Sequence, residues 1–156
     1  MIGSALVASL LQDGHEVRRL VRRSPGAGEV EWDPAGRRID RTGLEGVDAV
    51  VHLAAESIDG RWTAAKKRRI RESRLQGTRL LAETIASLQR PPDVLVSGSA
   101  VGVYGASRGD EPLTEESAPG RDFLGQLGVE WERAAEPAAK AGVRVAYPRT
   151  AMVLAR

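Results

Sequence analysis

Cysteine is absent from the 156 residues, and with it go disulfides, thiolate nucleophiles and cysteine-ligated metals. Histidine is nearly absent: His15 and His52 alone cannot build a typical zinc site. Aromatic residues make up only 4%, too few for the stacking platforms that hold single-stranded nucleic acid. No apolar run reaches the roughly 20 residues needed to span a bilayer, and no signal-peptide pattern is visible. Charge of one sign is missing too, since 23 basic residues face 21 acidic ones for a net of +2. So weak a field argues against nucleic acid as the main partner. These absences lead to the expectation of a cytoplasmic protein with neither a nucleic-acid nor a membrane partner. What remains is ordinary for a globular domain: 42% hydrophobic and 28% charged residues, in a chain long enough for one core.

The order of apolar segments predicts alternating strands and helices. Ser4 to Gln12 has helical spacing in Leu6, Val7, Leu10 and Leu11, and Asp13-Gly14 reads as its C-terminal stop. His15 to Val21 reads as a strand, and Val30 to Pro34 as a short strand or hairpin arm turning at Ala35-Gly36. Val47 to Ala55 is a continuous apolar run that predicts a strand buried on both faces. A long helix follows over Thr63 to Leu88, then a buried strand over Asp93 to Ser97. Residues 105–121 read as a loop rich in glycine, proline and acids. Asp122 is placed to cap a helix running to about Ala141, and Val143 to Tyr147 is the last strand. This alternation predicts an α/β, Rossmann-like fold, with a doubly wound, mostly parallel sheet and helices on both faces. There is no internal repeat.

Several segments together resemble the extended short-chain dehydrogenase/reductase superfamily, and within it the group called epimerase family proteins. The residues that carry the resemblance are Ile2-Gly3-Ser4-Ala5-Leu6, Val51 to Ile58, Arg61-Trp62-Thr63, Glu72-Ser73-Arg74, Gly77-Thr78, Ser97 to Gly105, Asp122-Phe123-Leu124, Trp131-Glu132 and Arg149-Thr150. The resemblance implies that the first strand and the first two glycines of a dinucleotide-binding loop lie upstream of Met1. It also implies a substrate-binding region beyond Arg156, and the expectation that this stretch alone is poorly stable, since strand 1 is central in such a sheet.

Site residues follow from the resemblance. Ile2 and Gly3 would bring the helix N-terminus to a pyrophosphate, Gly3 permitting close packing beneath it. Arg22 and Arg23 follow the second strand, where an acidic residue would select NAD; arginine suits the 2′-phosphate of NADP, so NADP is the expected cofactor and NAD the less favoured one. The alternative for the pair is a solvated basic loop. Leu53, Ala54 and Ala55 end a strand at the sheet's carboxyl edge, where small residues admit a cofactor, though plain core packing would read the same way. Ser97 would adjoin the cofactor, while Ser99 would bond a substrate oxygen or, alternatively, serve only as a turn serine. Arg74 would contact a cofactor phosphate or a substrate anion, or else be a salt-bridged surface residue.

The superfamily's Tyr-x-x-x-Lys pair is missing, because its expected place holds Phe123-Leu124 and then Gly128. Tyr104 with Arg108 copies the spacing in a loop, which makes Tyr104 a second catalytic candidate beside Ser99. Lys66 to Arg69 with Arg71 reads as a solvated helix face, His52 as a packing residue, and Trp62 and Trp131 as anchors, with lining of the cleft the alternative for Trp62. Two functions follow: an NADP-binding oxidoreductase or epimerase-like enzyme acting on an unidentified small molecule, or a cofactor-binding protein without turnover. A homodimer is compatible with either.

Overall fold

A computed structural model describes residues 2–153. Helix α1 spans Ile2–Gln12, β1 Arg19–Val21, β2 Glu29–Asp33 and β3 Arg38–Ile39. Then come β4 (Ala49–His52), α2 (Ala64–Ala86), β5 (Val94–Ser97) and β6 (Ser99–Ala100). The chain continues with α3 (Phe123–Ala134), α4 (Glu136–Lys140), β7 (Arg144–Ala146) and β8 (Arg149–Thr150). The strands form three groups: β1-β2-β3, β4-β5-β7 and β6-β8. All the pairings are parallel except the β2–β3 hairpin.

Local chemistry explains the boundaries. Thr63 caps α2 by accepting from the Lys66 amide at 3.2 Å, and Asp122 caps α3 by accepting from the Gly125 amide at 2.8 Å. The helix expected to run on to Ala141 breaks at Ala135, because Pro137 lacks the N–H that a helix interior needs and fits only the first turn of α4. The strand expected over His15 to Val21 shortens to three residues. The Val47 to Ala55 run shortens to β4, and its expected two-sided burial is not found. Val50 and His52 are buried, while Ala49 and Val51 on the opposite face are exposed. Alternation of this kind means that only one face of β4 is covered in the described structure.

The covered face packs against α2 and α4. Val50, Leu81, Ile85, Leu95, Ala138 and Val143 lie at its centre. Two glycine contacts set where α3 sits. A Cβ on Gly128 would fall 2.8 Å from the Val103 Cβ, and one on Gly125 would meet the Gly120 backbone at 2.2 Å. The helix can therefore lie directly on the turn at 101–104 and on the backbone at Gly120 only because these two positions carry no side chain. Helix α1 differs from α2 and α3 in having no buried residue.

Candidate functional site

The carboxyl ends of β4 and β5 open toward one region. Beyond β4, Ala54 and Ala55 are exposed and Leu53 is half-buried. The next residue, Glu56, is tied down from α2: the Ser73 hydroxyl accepts from its amide at 3.1 Å, and Lys66 Nζ donates to its carboxylate at 2.9 Å. The Lys66 hydrogen bond and charge, with Arg69 behind them, hold the Glu56 carboxyl below its usual pKa. Trp62 closes the loop by donating from Nε1 to the Ile58 carbonyl at 2.7 Å, and its ring meets Phe123 edge-on. The Lys67 ammonium lies 5.2 Å above the Phe123 ring. Most of the basic run is a solvated face as expected, with Arg71 bridged to Glu130, but Lys67 turns inward onto α3.

Arg74 is not a salt-bridged surface residue. It is 9% exposed, stacks 4.9 Å from the Trp131 ring, and donates from Nη1 to the Glu56 and Ile70 carbonyls at 3.0 and 3.1 Å. Trp131 is in turn fixed by its Nε1 donating to Thr78 at 3.0 Å.

Ser99 is 3% exposed, and its hydroxyl donates to Glu132 Oε1 at 2.6 Å. Arg149 grips the same carboxylate from Nε and Nη2, both at 2.9 Å. Burial pushes the Glu132 pKa up, but the Arg149 and Ser99 hydrogen bonds outweigh it, leaving the carboxyl below its usual range. Arg149 then donates from Nη1 to the Tyr104 hydroxyl at 2.8 Å, with its guanidinium over that ring. The cationic partner of Tyr104 is thus Arg149. Arg108, the partner suggested by spacing, turns instead to Glu111 and the Ala118 carbonyl. Tyr104 ends a 3-10 turn over Val101–Tyr104, which explains why helical i, i+4 geometry does not apply. Tyr104, Glu132 and Arg149 line a cavity of about 360 Å³ with Glu115, Val129 and Arg133. Ser99 and Leu53 to Ala55 do not line it.

At the other end, α1 begins at Ile2 with no acidic residue in its first turn. Ile2 is 42% exposed, and a Cβ at Gly3 would meet nothing within 4 Å, so the described residues show open space there. Arg23 donates to Glu29 at 2.7 Å, as does Arg19 at 2.8 Å, and the Glu29 side chain is only 4% exposed. Arg22 is exposed and makes no ion pair among the described residues. Ser97 is fully buried, and among the described residues its hydroxyl has no partner; neither has Nε2 of His52, its register neighbour on β4. His52 packs edge-on against Trp32, and burial lowers its pKa to about 4. Among the described residues no cluster of acids and histidines could hold a metal ion.

Sequence alone assigns no role to Glu132 or Arg149, although the Trp-Glu and Arg-Thr elements belong to the family resemblance. Nothing in their spacing joins residues 132 and 149 to Ser99 and Tyr104.

Parallel strands joined by helices, with the carboxyl ends of β4 and β5 opening on one side, make this an α/β protein of the Rossmann-like class. Residues 1–124 match the model of the NAD dependent epimerase/dehydratase family, and the chain belongs to it. Epimerase family protein Mb2239 of Mycobacterium bovis is 40% identical over 156 residues, covering 99% of this chain and 51% of the relative. Epimerase family protein SDR39U1 of Homo sapiens is 38% identical over 139 residues, covering 86% and 45%. The chain thus spans about half the length of the curated relatives it matches. Among solved structures, the nucleoside-diphosphate sugar epimerase of Corynebacterium glutamicum superimposes with a TM-score of 0.82 at 45% identity, over 96% of this chain and 31% of that one. Human SDR39U1 (isoform 2) with NADPH gives 0.81 at 34%, over 96% and 50%. MoeE5 in complex with UDP-glucose and NAD gives 0.69 at 25%, over 94% and 48%.

Proposed function

We propose that the full-length protein is an NADP-dependent oxidoreductase or epimerase-like enzyme acting on a small molecule. The observation that carries the cofactor choice is Arg22, an exposed arginine just past β1 with no ion pair among the described residues, in a fold whose human neighbour was solved with NADPH. The chain's residues fit such a cofactor. The Ile2 and Gly3 amides would face its pyrophosphate at the start of α1. Arg22, seconded by Arg23, would meet the 2′-phosphate, and Leu53, Ala54 and Ala55 would lie along the nicotinamide half. When bound, the dinucleotide supplies hydride exchange at a carbon bearing oxygen.

The protein's own share is orientation and proton supply. The Ser99 hydroxyl donates its hydrogen bond to an ionised Glu132, so toward a ligand it has only lone pairs left and suits a donor such as a carbinol O–H. Tyr104 accepts from Arg149 and keeps its own proton, for which the described residues hold no acceptor. In this reading Tyr104 is the proton donor, and Arg149 takes the place of the superfamily's lysine. A homodimer and a cytoplasmic location belong to the same proposal.

The test is titration of the full-length protein with NADPH and NADH, followed by nicotinamide fluorescence. NADPH-selective binding supports the reading, and equal or absent binding removes it. The second reading, a cofactor-binding protein without turnover, draws on Gly128. Its contact with Val103 leaves no room for a lysine where the superfamily has one. Failure of bound NADPH to reduce any member of a carbonyl panel would favour it.

A further inference from the structure

We propose that Arg74 forms an oxyanion subsite for the substrate, taking a carboxylate or phosphate group side-on through Nε and Nη2. The inference rests on the dinucleotide reading only for the end of the cleft from which the ligand approaches.

Arg74 is the one arginine buried among the described residues, and no carboxylate lies within ion-pair distance of it. Arg71, Arg79, Arg108 and Arg149 each close on a glutamate. The acid whose charge acts on Arg74 is Glu56, and its carboxylate is already held by Lys66 at 2.9 Å and Arg69 at 3.8 Å. A buried guanidinium cannot lose its proton to escape the cost of burial, so it calls for a counter-ion.

Its donors are also divided unevenly. Nη1 takes both carbonyls, from Glu56 and Ile70, while Nε and Nη2 donate to nothing among the described residues. Neither is sealed away as an orphaned buried atom. These two nitrogens form the guanidinium edge that matches two oxygens of a carboxylate or phosphate. The side chain is also pre-positioned. Trp131 supports its face, Thr78 anchors Trp131, and Nη1 is pinned at one end, so little rotamer freedom is lost on binding.

Position separates this subsite from the cofactor's phosphates. Arg74 lies in the seam between α2 and α3, bonded to the residue that follows Leu53 to Ala55. The pyrophosphate is expected at the start of α1, which packs closely on neither α2 nor α3. An anion at Arg74 therefore comes from the substrate side.

The test uses full-length wild type, Arg74→Met and Arg74→Lys, with malonate, inorganic phosphate and chloride titrated at matched ionic strength while the melting temperature is read. NADPH affinity is measured separately for each protein. We expect saturable stabilisation of the wild type by malonate or phosphate beyond that by chloride, and whichever is stronger names the group. Arg74→Met should lose at least about tenfold in that affinity and keep its NADPH affinity within about twofold. Arg74→Lys keeps the charge but not the two-point edge, and should also bind more weakly. It serves as the readout if Arg74→Met fails to fold. The proposal is overturned if chloride matches both oxyanions, if both variants bind them like wild type, or if the loss falls on NADPH instead. Absence of NADPH binding by wild type with oxyanion binding intact would sink the cofactor reading and leave this one standing.

Discussion

Arg22 and Arg23 are adjacent in sequence but differ in what holds them. Arg23 is occupied by Glu29, whose carboxyl is kept below its usual pKa by Arg23 and by the Gly26 amide, whereas Arg22 is exposed and makes no ion pair among the described residues. Arg22→Glu should therefore weaken NADPH binding by about tenfold or more, roughly 1.4 kcal/mol, and leave NADH nearly unchanged. Equal losses for the two cofactors would show that Arg22 does not read the 2′-phosphate. His52 makes a second prediction at this scale. Burial favours its neutral form, so the folded pKa of about 4 lies below the ordinary 6.5. The unfolded chain then binds the extra proton between these values. Stability is full above about pH 6.5 and falls as pH drops toward 4, by about 2 kcal/mol between pH 7 and pH 5. Urea melts at the two pH values should show this loss in wild type and a smaller one in His52→Phe. Equal slopes would remove His52 as the cause. Glu132 is coupled to the other site: Glu132→Gln leaves Arg149 half-buried without its carboxylate, which should cost about 3 kcal/mol in a denaturant melt. The contribution of its lowered pKa is present above about pH 4.5 and is lost as pH falls through the folded value.

At the scale of elements, α3 and the turn at 101–104 are packed backbone to backbone. Gly128→Ala would put a methyl 2.8 Å from the Val103 Cβ, and should destabilise by about 1–3 kcal/mol through forced displacement of the turn that carries Tyr104. Full wild-type stability in that variant would mean that the turn moves freely. The same contact explains why restoring the superfamily's lysine at this position is expected to unfold the turn and not to create activity. Helix α2 serves the fold and the site together. One face covers the core through Ile70, Leu81 and Ile85, while its N-terminal half sends Lys66 and Arg74 to Glu56 in the loop after β4 and Lys67 onto Phe123 of α3. Core packing and the placement of Lys66, Lys67 and Arg74 thus share one helix.

For the whole molecule, stability is distributed unevenly. The β4-β5-β7 sheet with α2 and α4 holds the fully buried side chains, whereas α1 buries none. Backbone amides of α1 should exchange with solvent well before those in the middle of α2. Hydrogen-exchange mass spectrometry showing equal protection would contradict this. NADPH should slow exchange in α1 if its first turn meets the pyrophosphate, because a ligand that binds only the folded helix end raises the cost of opening it.

Alternation of apolar segments, the cap at Asp122 and the stop at Gly14 are local properties, and the element order and the α/β class were legible from them; the cap at Thr63 was equally local but went unread. Short motifs also sufficed for the family resemblance. The extent of strands was less legible, because Val47 to Ala55 is apolar on both sides and apolarity does not say which face is covered. The break before Pro137 was readable in principle, since proline's missing N–H acts locally. The partners of the site residues emerge from long-range packing alone. Tyr104 meets Arg149 across 45 residues, Ser99 meets Glu132 across 33, and Arg74 rests on the ring of Trp131. Such contacts arise where separate elements converge. Charge and hydrogen-bond demand are written in each residue, but the distance over which they are met is set by packing.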